Sequence, residues 1–145
     1  MFLKKTALTG FITLALGLPL ISEANDLTII NNTNFNSTSI INNGKCSSKV
    51  LPFGKGTTKA HTTNVITSSL VNLACLATPS PKVCQADVYM ADDCGGSRIA
   101  TAYFDTKTGM QSVTLYDQSY RITGTGFTIT LDGGPSFLSR FFNRS

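Results

Sequence analysis

Hydrophobic and polar residues alternate one by one through the second half of the chain. In CQADVYM (84–90), Cys84, Ala86, Val88 and Met90 fall on one face. The same period of two returns in SVTLYD (112–117), YRIT (120–123) and GFTITLD (126–132). Because successive side chains of a strand point to opposite faces, this pattern predicts strands that are buried on one side.

The first half of the chain predicts strands less clearly. LTIINN (27–32) and STSII (37–41) are typical of strands, and NNGK (42–45) is typical of a tight turn. SKVLPF (48–53) predicts a short strand before a loop over 54–64. Segment 64–77 fits either a helical face or a strand face, and its Val, Thr, Ser and Asn content favours a strand.

Turn-forming residues separate the predicted strands at Asp92–Gly96, Asp105–Gly109 and Gly124–Gly126. Gly109 stands where a hairpin needs left-handed backbone. Eight or nine short strands at regular spacing, with no repeat or linker, predict an all-β, single-domain antiparallel β-sandwich. We expect the short C-terminal tail to be helical or irregular.

The first 24 residues predict a secretory signal peptide. Lys4 and Lys5 precede a 15-residue apolar run, and a small-x-small cleavage site ends at Ala24. The run is shorter than the ~20 residues that a membrane-spanning helix needs. We therefore expect residues 25–145 to form a secreted or periplasmic domain without a transmembrane segment.

The expected mature domain carries a mild positive charge. Without the leader's two lysines and one glutamate, the 12 basic and 8 acidic side chains of the sequence fall to 10 and 7. The basic residues are scattered along the chain and form no stripe with aromatic residues, which argues against nucleic-acid binding. The domain contains no glutamate and much Thr, Ser, Asn and Gly, which favours strands and turns over helices.

Four cysteines lie in the expected mature domain: Cys46, Cys75, Cys84 and Cys94. An even number in an exported chain predicts disulfides, and the lack of close C-x-x-C pairs argues against a zinc site. Three pairings are possible. An extended strand after Cys84 would hold Cys84 and Cys94 about 20 Å apart, beyond the ~7 Å limit for a disulfide. We therefore expect Cys75–Cys84 and Cys46–Cys94.

The aspartates and the single histidine are the candidates for catalysis or metal binding. Asp92 and Asp93 precede two glycines but lack the ligand spacing and closing glutamate of a calcium loop, so we expect a turn. Asp87 is expected on the outer face of its strand, beside solvent or a cross-strand cation. His61 lies in a loop, and no serine nucleophile motif accompanies it. We expect no cofactor and no metal.

The C-terminal segment SFLSRFFNRS combines aromatic and basic residues. At helical spacing its large apolar side chains would share one face, which would either pack on the sandwich or form a patch for a membrane or partner. The candidate patch consists of Phe137, Leu138, Arg140, Phe141, Phe142 and Arg144.

Three stretches, LTIINNTNFNSTSIIN, CQADVYMADDCGG and YRITGTGFTITL, resemble small exported disulfide-bonded bacterial β-sandwich proteins of uncharacterised function. The resemblance implies export and a sandwich fold and carries over no catalytic residue. The sequence therefore predicts a secreted, non-enzymatic binding or effector-like protein of a bacterium, whose partner is a protein, a glycan or an anionic lipid surface. The alternative is a small exported hydrolase that uses His61 or an aspartate pair.

Overall fold

The chain folds into two four-stranded β-sheets. The structure is a computed structural model that describes residues 25–76 and 83–136. The strands are β1 (Leu27–Asn31), β2 (Thr38–Ile41), β3 (Thr62–Ile66), β4 (Val83–Tyr89), β5 (Arg98–Asp105), β6 (Gly109–Leu115), β7 (Tyr120–Thr125) and β8 (Thr128–Gly133). The helices are α1 (Ser47–Val50) and α2 (Ser68–Leu76), and Asp92–Cys94 forms one 3-10 turn. The predicted all-β fold class is confirmed.

The first sheet has the strand order β3-β1-β8-β7, and the second has the order β2-β4-β5-β6. Neighbouring strands run antiparallel with one exception. β1 and β8 are parallel, with Thr28–Asn31 in register with Thr128–Leu131. This pair departs from the antiparallel arrangement expected, because β1 lies between β3 and β8 in the sheet instead of pairing with β2, which follows it in the chain.

Backbone contact closes one side of the sandwich. The edge strands there are β6 and β7, and the Met110 N–H donates to the Gly126 carbonyl at 2.8 Å. Gly109 permits this approach, because a Cβ at this position would overlap the Gly126 backbone. Its φ of 94° is the left-handed conformation that the sequence predicted. On the other side, the edge strands β2 and β3 belong to different sheets, and the chain over 42–61 and α2 lies there.

The segment predicted as a strand over 64–77 is divided between two elements. β3 ends at Ile66, and α2 runs over Ser68–Leu76. The Asp26 carboxylate accepts the Ser68 N–H at 2.8 Å, which satisfies a backbone donor of the first helical turn. The strand interpretation is wrong after Ile66. A helix places the apolar residues of this segment on one buried face, whereas a strand would divide them between two opposite faces. The buried face consists of Leu70, Val71, Ala74 and Cys75.

The short strand predicted over 48–53 is also wrong. Ser47–Val50 is a single helical turn, and residues 52–56 form further turns. The Ser47 hydroxyl donates to the Gly56 carbonyl at 2.6 Å, so the chain reverses direction between these two residues. An extended strand would carry these two groups apart.

The hydrophobic core has two parts. One cluster lies between the closed-side strands and centres on Met90, Ala100, Tyr120 and Leu131, which are 3% exposed or less. The other cluster brings α2 and Leu51 together with Ile66 and Phe104. In this second cluster the Phe104 and Phe127 rings meet edge to face, with centroids 5.3 Å apart. The two clusters share partly buried Ile29.

Two disulfides hold the elements on the β2 and β3 side. Cys46–Cys94 joins the start of α1 to the 3-10 turn, with Cα atoms 5.8 Å apart. Cys75–Cys84 joins α2 to β4, with Cα atoms 5.3 Å apart. These are the pairs that the sequence favoured. The short helices α1 and α2 are thus each crosslinked to the second sheet or to its connections.

The helices of the described ranges are too short to span a membrane. The predicted signal peptide (1–24) and the candidate patch over 137–144 lie outside the described residues. Both stay predictions.

Removing the Cys46–Cys94 bridge should destabilise the protein more than removing Cys75–Cys84. The bridges span 48 and 9 residues, respectively. Loop-closure entropy gives a loss of about 4 kcal/mol for the long loop and about 3 kcal/mol for the short one. Urea unfolding of the paired serine variants (Cys46→Ser with Cys94→Ser, and Cys75→Ser with Cys84→Ser) would measure both losses. A larger loss for the short loop would show that local packing, and not chain entropy, dominates.

Candidate functional site

An apolar cavity of about 230 Å³ lies between the sheets on the side of β2 and β3. It occurs where α2, and not a further strand, lies over the gap between the two edge strands. Its walls come from both sheets and from α2. The apolar residues that line it are Leu27, Ile29, Ile41, Leu51, Ile66, Leu70, Val71, Ala74, Phe104 and Ile129, together with the Cys75–Cys84 bridge.

The cavity reaches the surface at the connection between β2 and α1. Gly44, Lys45 and Val50 line the cavity and are also exposed, with Val50 at 44%. They therefore form its mouth. Lys45 is the charged residue among the lining residues, so the mouth presents a cation beside an apolar interior.

A tight turn places these residues at the mouth. Asn42 and Asn43 have φ values of 48° and 59°, and the Gly44 N–H donates to the Ile41 carbonyl at 2.9 Å. Two successive left-handed residues define a type I′ turn, for which asparagine and glycine are favoured. The turn predicted from NNGK is confirmed. The Asn42 side chain also donates to the Cys75 carbonyl at 3.3 Å, which ties the turn to α2.

The Ser47 hydroxyl fixes the chain on the other side of the mouth. It accepts the Ser39 N–H at 3.0 Å and donates to the Gly56 carbonyl at 2.6 Å. Gly56 packs directly against the Ser47 backbone, and a Cβ on Gly56 would overlap it. One buried side chain therefore joins β2, α1 and the end of the following turn.

A buried asparagine organises the neighbouring loops. Asn31 is fully buried and donates from Nδ2 to the Phe35 carbonyl at 2.8 Å and to the Thr58 carbonyl at 3.1 Å. Its Oδ1 accepts the Thr33 N–H at 3.0 Å and the Thr33 hydroxyl at 2.7 Å. The sequence analysis missed this role. The available signal was the dense Asn and Thr content of NNTNFN, since these side chains bond to nearby backbone.

Phe53 stands at the tip of the turn between α1 and Gly56. It is 95% exposed and has a φ of 58°, followed by Gly54 at 71°. The Lys55 N–H donates to the Pro52 carbonyl at 3.1 Å and closes the turn. A left-handed conformation costs a bulky residue on the order of 1–3 kcal/mol. Neither burial nor side-chain packing in the fold offsets that cost.

The aspartates of the predicted turns accept hydrogen bonds, either from neighbouring loops or within their own turn. Asp92 accepts the Asn36 amide at 2.9 Å, and Asp93 accepts the Ser48 hydroxyl at 2.7 Å. Asp105 accepts the backbone N–H groups of Lys107 and Thr108, which lower the pKa of its carboxyl. The predicted turn roles are confirmed. In the described ranges, no three His, Cys, Asp or Glu side chains converge as metal ligands would.

Asp87 lies on the outer face of the second sheet with a cross-strand cation, as predicted. Arg98 approaches its carboxylate at 3.3 Å and lies 4.5 Å above the Tyr116 ring. The Thr101 hydroxyl donates to the same carboxylate oxygen at 2.7 Å. Asp87 is only 6% exposed, which the sequence did not predict. Charge pairing and a short hydrogen bond compensate its burial.

His61 is exposed and left-handed, with a φ of 57°. Its Nε2 lies 2.7 Å from the Asn34 amide oxygen. The contact ties together two surface loops.

The comparisons with known proteins agree with this architecture. A model of the type II secretion system substrate NttC matches residues 3–139. The chain belongs to the NttC family. The family of secreted substrates, together with the disulfides, places this bacterial protein outside the cytoplasm, secreted or periplasmic.

A solved relative has a similar fold. The crystal structure of the Legionella pneumophila type II secretion system substrate NttC superposes with a TM-score of 0.60 and 24% sequence identity. The match covers 75% of this chain and 97% of that chain. No curated protein matches the sequence. The fold is therefore shared within the NttC family.

Replacing Ser47 with alanine should destabilise this NttC-family protein by about 1–3 kcal/mol, because the Ser39 N–H and Gly56 carbonyl lose a buried partner. Ser48→Ala is the matched control. Ser48 bonds to Asp93 on the surface, so its loss should cost less than about 1 kcal/mol. Urea unfolding of both variants gives the comparison, and equal losses would contradict the role assigned to Ser47.

Proposed function

We propose that this protein is a secreted, non-enzymatic binding protein for amphiphiles with an apolar chain and an anionic head group. The observation that carries the proposal is the apolar cavity with Lys45 at its mouth. An acyl chain would enter between the sheets, and its carboxylate or phosphate would stay at the surface beside the lysine.

The size and lining of the cavity support an apolar ligand. In another protein, a cavity of about 150 Å³ that is lined by apolar side chains binds benzene. This cavity is larger, at about 230 Å³. Each methylene transferred from water into such surroundings contributes about 0.8 kcal/mol. A short acyl chain therefore gains enough from burial to bind without a specific polar contact inside the cavity.

The charge distribution supports an anionic head group. No aspartate or glutamate occurs from residue 27 to residue 86, whereas five lysines do. Within residues 25–76 and 83–136, the one ion pair joins Arg98 to Asp87. Lys45 therefore has no carboxylate partner among these residues, and its charge is available to a ligand.

Family membership supports an export route. NttC is described as a type II secretion system substrate. We propose that this chain is cleaved after Ala24, folds and forms its disulfides in the periplasm, and then leaves through that system.

Alkanoates of increasing length should bind with rising affinity. Because each added methylene contributes about 0.8 kcal/mol, the Kd should fall about fourfold per methylene until the cavity is filled. Isothermal titration calorimetry over a series from hexanoate to dodecanoate would measure this slope. Affinity that is absent or independent of length would overturn the proposal.

Two variants separate cavity binding from adhesion to the surface. Ala74 lines the cavity, whereas Leu73 is on the same helix and is 58% exposed. Ala74→Phe should abolish alkanoate binding, and Leu73→Phe should leave it unchanged. Lys45→Gln should weaken alkanoate binding but not the binding of an alkanol of equal length, since only the alkanoate has a charged head.

The mature exported protein should begin at Asn25 with all four cysteines oxidised. Intact-mass spectrometry of the protein from culture medium, with and without reduction, would measure both features. An N-terminus far from residue 25, or alkylation of free thiols before reduction, would contradict the proposed route.

A further inference from the structure

We propose that the Phe53 turn, residues 49–55, inserts its tip into the surface of an anionic phospholipid bilayer. The turn combines a fully presented aromatic ring with lysines on both sides. The tip of the turn, Phe53, is not part of the cavity lining, and the proposal does not depend on which ligand the cavity takes.

The first argument is that the fold holds Phe53 outward. The ring is 95% exposed although its backbone adopts the left-handed conformation that bulky residues avoid. Bonds anchor both ends of the turn. The Cys46–Cys94 bridge precedes it, and the Ser47 bond to Gly56 closes it. These contacts hold the ends of the turn in a backbone conformation that presents the Phe53 side chain to solvent.

The second argument is charge. Lys49 and Lys55 flank Phe53, and Lys45 precedes α1. Because Ser47 and Gly56 are in hydrogen-bond contact, residues 47–56 form one small closed loop, and these lysines lie on or beside it. The acidic side chains near the loop are Asp92 and Asp93, which bond to Asn36 and Ser48. Basic residues around an exposed aromatic tip are typical of protein surfaces that bind anionic lipids.

The third argument is the apolar surface beside the tip. Val50 is 44% exposed and lies at the cavity mouth, three residues before Phe53 in the chain. Pro52 is exposed as well. The apolar surface at the tip therefore continues to the mouth, and docking through this turn would bring the mouth close to the membrane.

A single-tryptophan variant tests insertion directly. The chain contains no tryptophan, so Phe53→Trp introduces the sole indole. Its emission should shift to the blue on mixing with phosphatidylglycerol vesicles and stay unchanged with pure phosphatidylcholine vesicles. Tyr116→Trp, on the outer face of the second sheet, is the control and should not shift with either vesicle. Equal shifts at both positions, or none at residue 53, would overturn the proposal.

Vesicle affinity tests the two contributions separately. Phe53→Ala should reduce binding to phosphatidylglycerol vesicles about tenfold, since the ring loses its apolar transfer. Lys49→Gln and Lys55→Gln should each reduce the affinity for these vesicles roughly fivefold. Added salt should also reduce the affinity of the parent protein, because it screens the lysine charges. Lys107→Gln, in the turn between β5 and β6, is the matched charge control and should bind as the parent does.

The membrane proposal and the cavity proposal fail separately. Ala74→Phe should abolish alkanoate binding and leave vesicle binding unchanged, whereas Phe53→Ala should leave alkanoate binding unchanged and weaken vesicle binding about tenfold. Vesicle binding that survives both Phe53→Ala and the lysine changes would overturn the membrane proposal whatever the cavity binds.

Discussion

The hydrogen bonds of the Ser47 hydroxyl determine the shape of the less regular half of this protein. On the closed side, the sheets meet through backbone contact between Met110 and Gly126. On the other side, a single backbone bridge joins Ser37, just before β2, to Thr58, before β3, and the rest of that side consists of the chain over 42–61 and α2. A buried hydroxyl that both accepts and donates gives that chain a fixed position against β2. Without this hydroxyl, the Ser39 N–H and the Gly56 carbonyl would each lose a hydrogen-bond partner, and this loss would destabilise the loop.

The two parts of the core show the consequence of this constraint. Next to the closed side, the strands pack directly on one another and bury their inward side chains almost completely. On the side of α1 and α2, disulfides join each helix to the second sheet or to its connections, and a cavity is left between the sheets and α2. Covalent bridges fit this half because they stabilise without requiring complete packing. Direct packing of strands thus stabilises one half of the sandwich and disulfides stabilise the other, where the proposed binding surface lies.

The strands and turns of the second half were predictable because each depends on its own residues. Because β4 and β8 are buried on one face, apolar and polar residues alternate along them. The left-handed backbone of Gly109 was predictable because a hairpin loop requires it at that position. The helix after Ile66 was not predictable, since its propensity is low and only packing over the gap selects it. The cavity was not predictable either. Its lining comes from six strands and both helices, and no local sequence pattern shows which side chains leave space between them. Phe53 was not predictable either, because the sequence placed it at the end of a strand over 48–53, whereas its exposed position depends on the turn that Ser47 and Gly56 close.

The small net charge of the chain does not show where its charged residues lie in the fold. The scattered lysines of the sequence suggested a plain solvated surface, and the net charge of +4 is small for the whole chain. Three of those lysines nevertheless lie on or beside the loop that Ser47 closes, where the acidic neighbours are Asp92 and Asp93. The loop closure therefore places lysines that are spaced over ten residues of the chain on or beside one short loop. The same closure holds Phe53 outward and Val50 at the cavity mouth. A head group at Lys45 and a bilayer surface at Lys49 and Lys55 would consequently be attracted to one segment of the protein, for the same electrostatic reason.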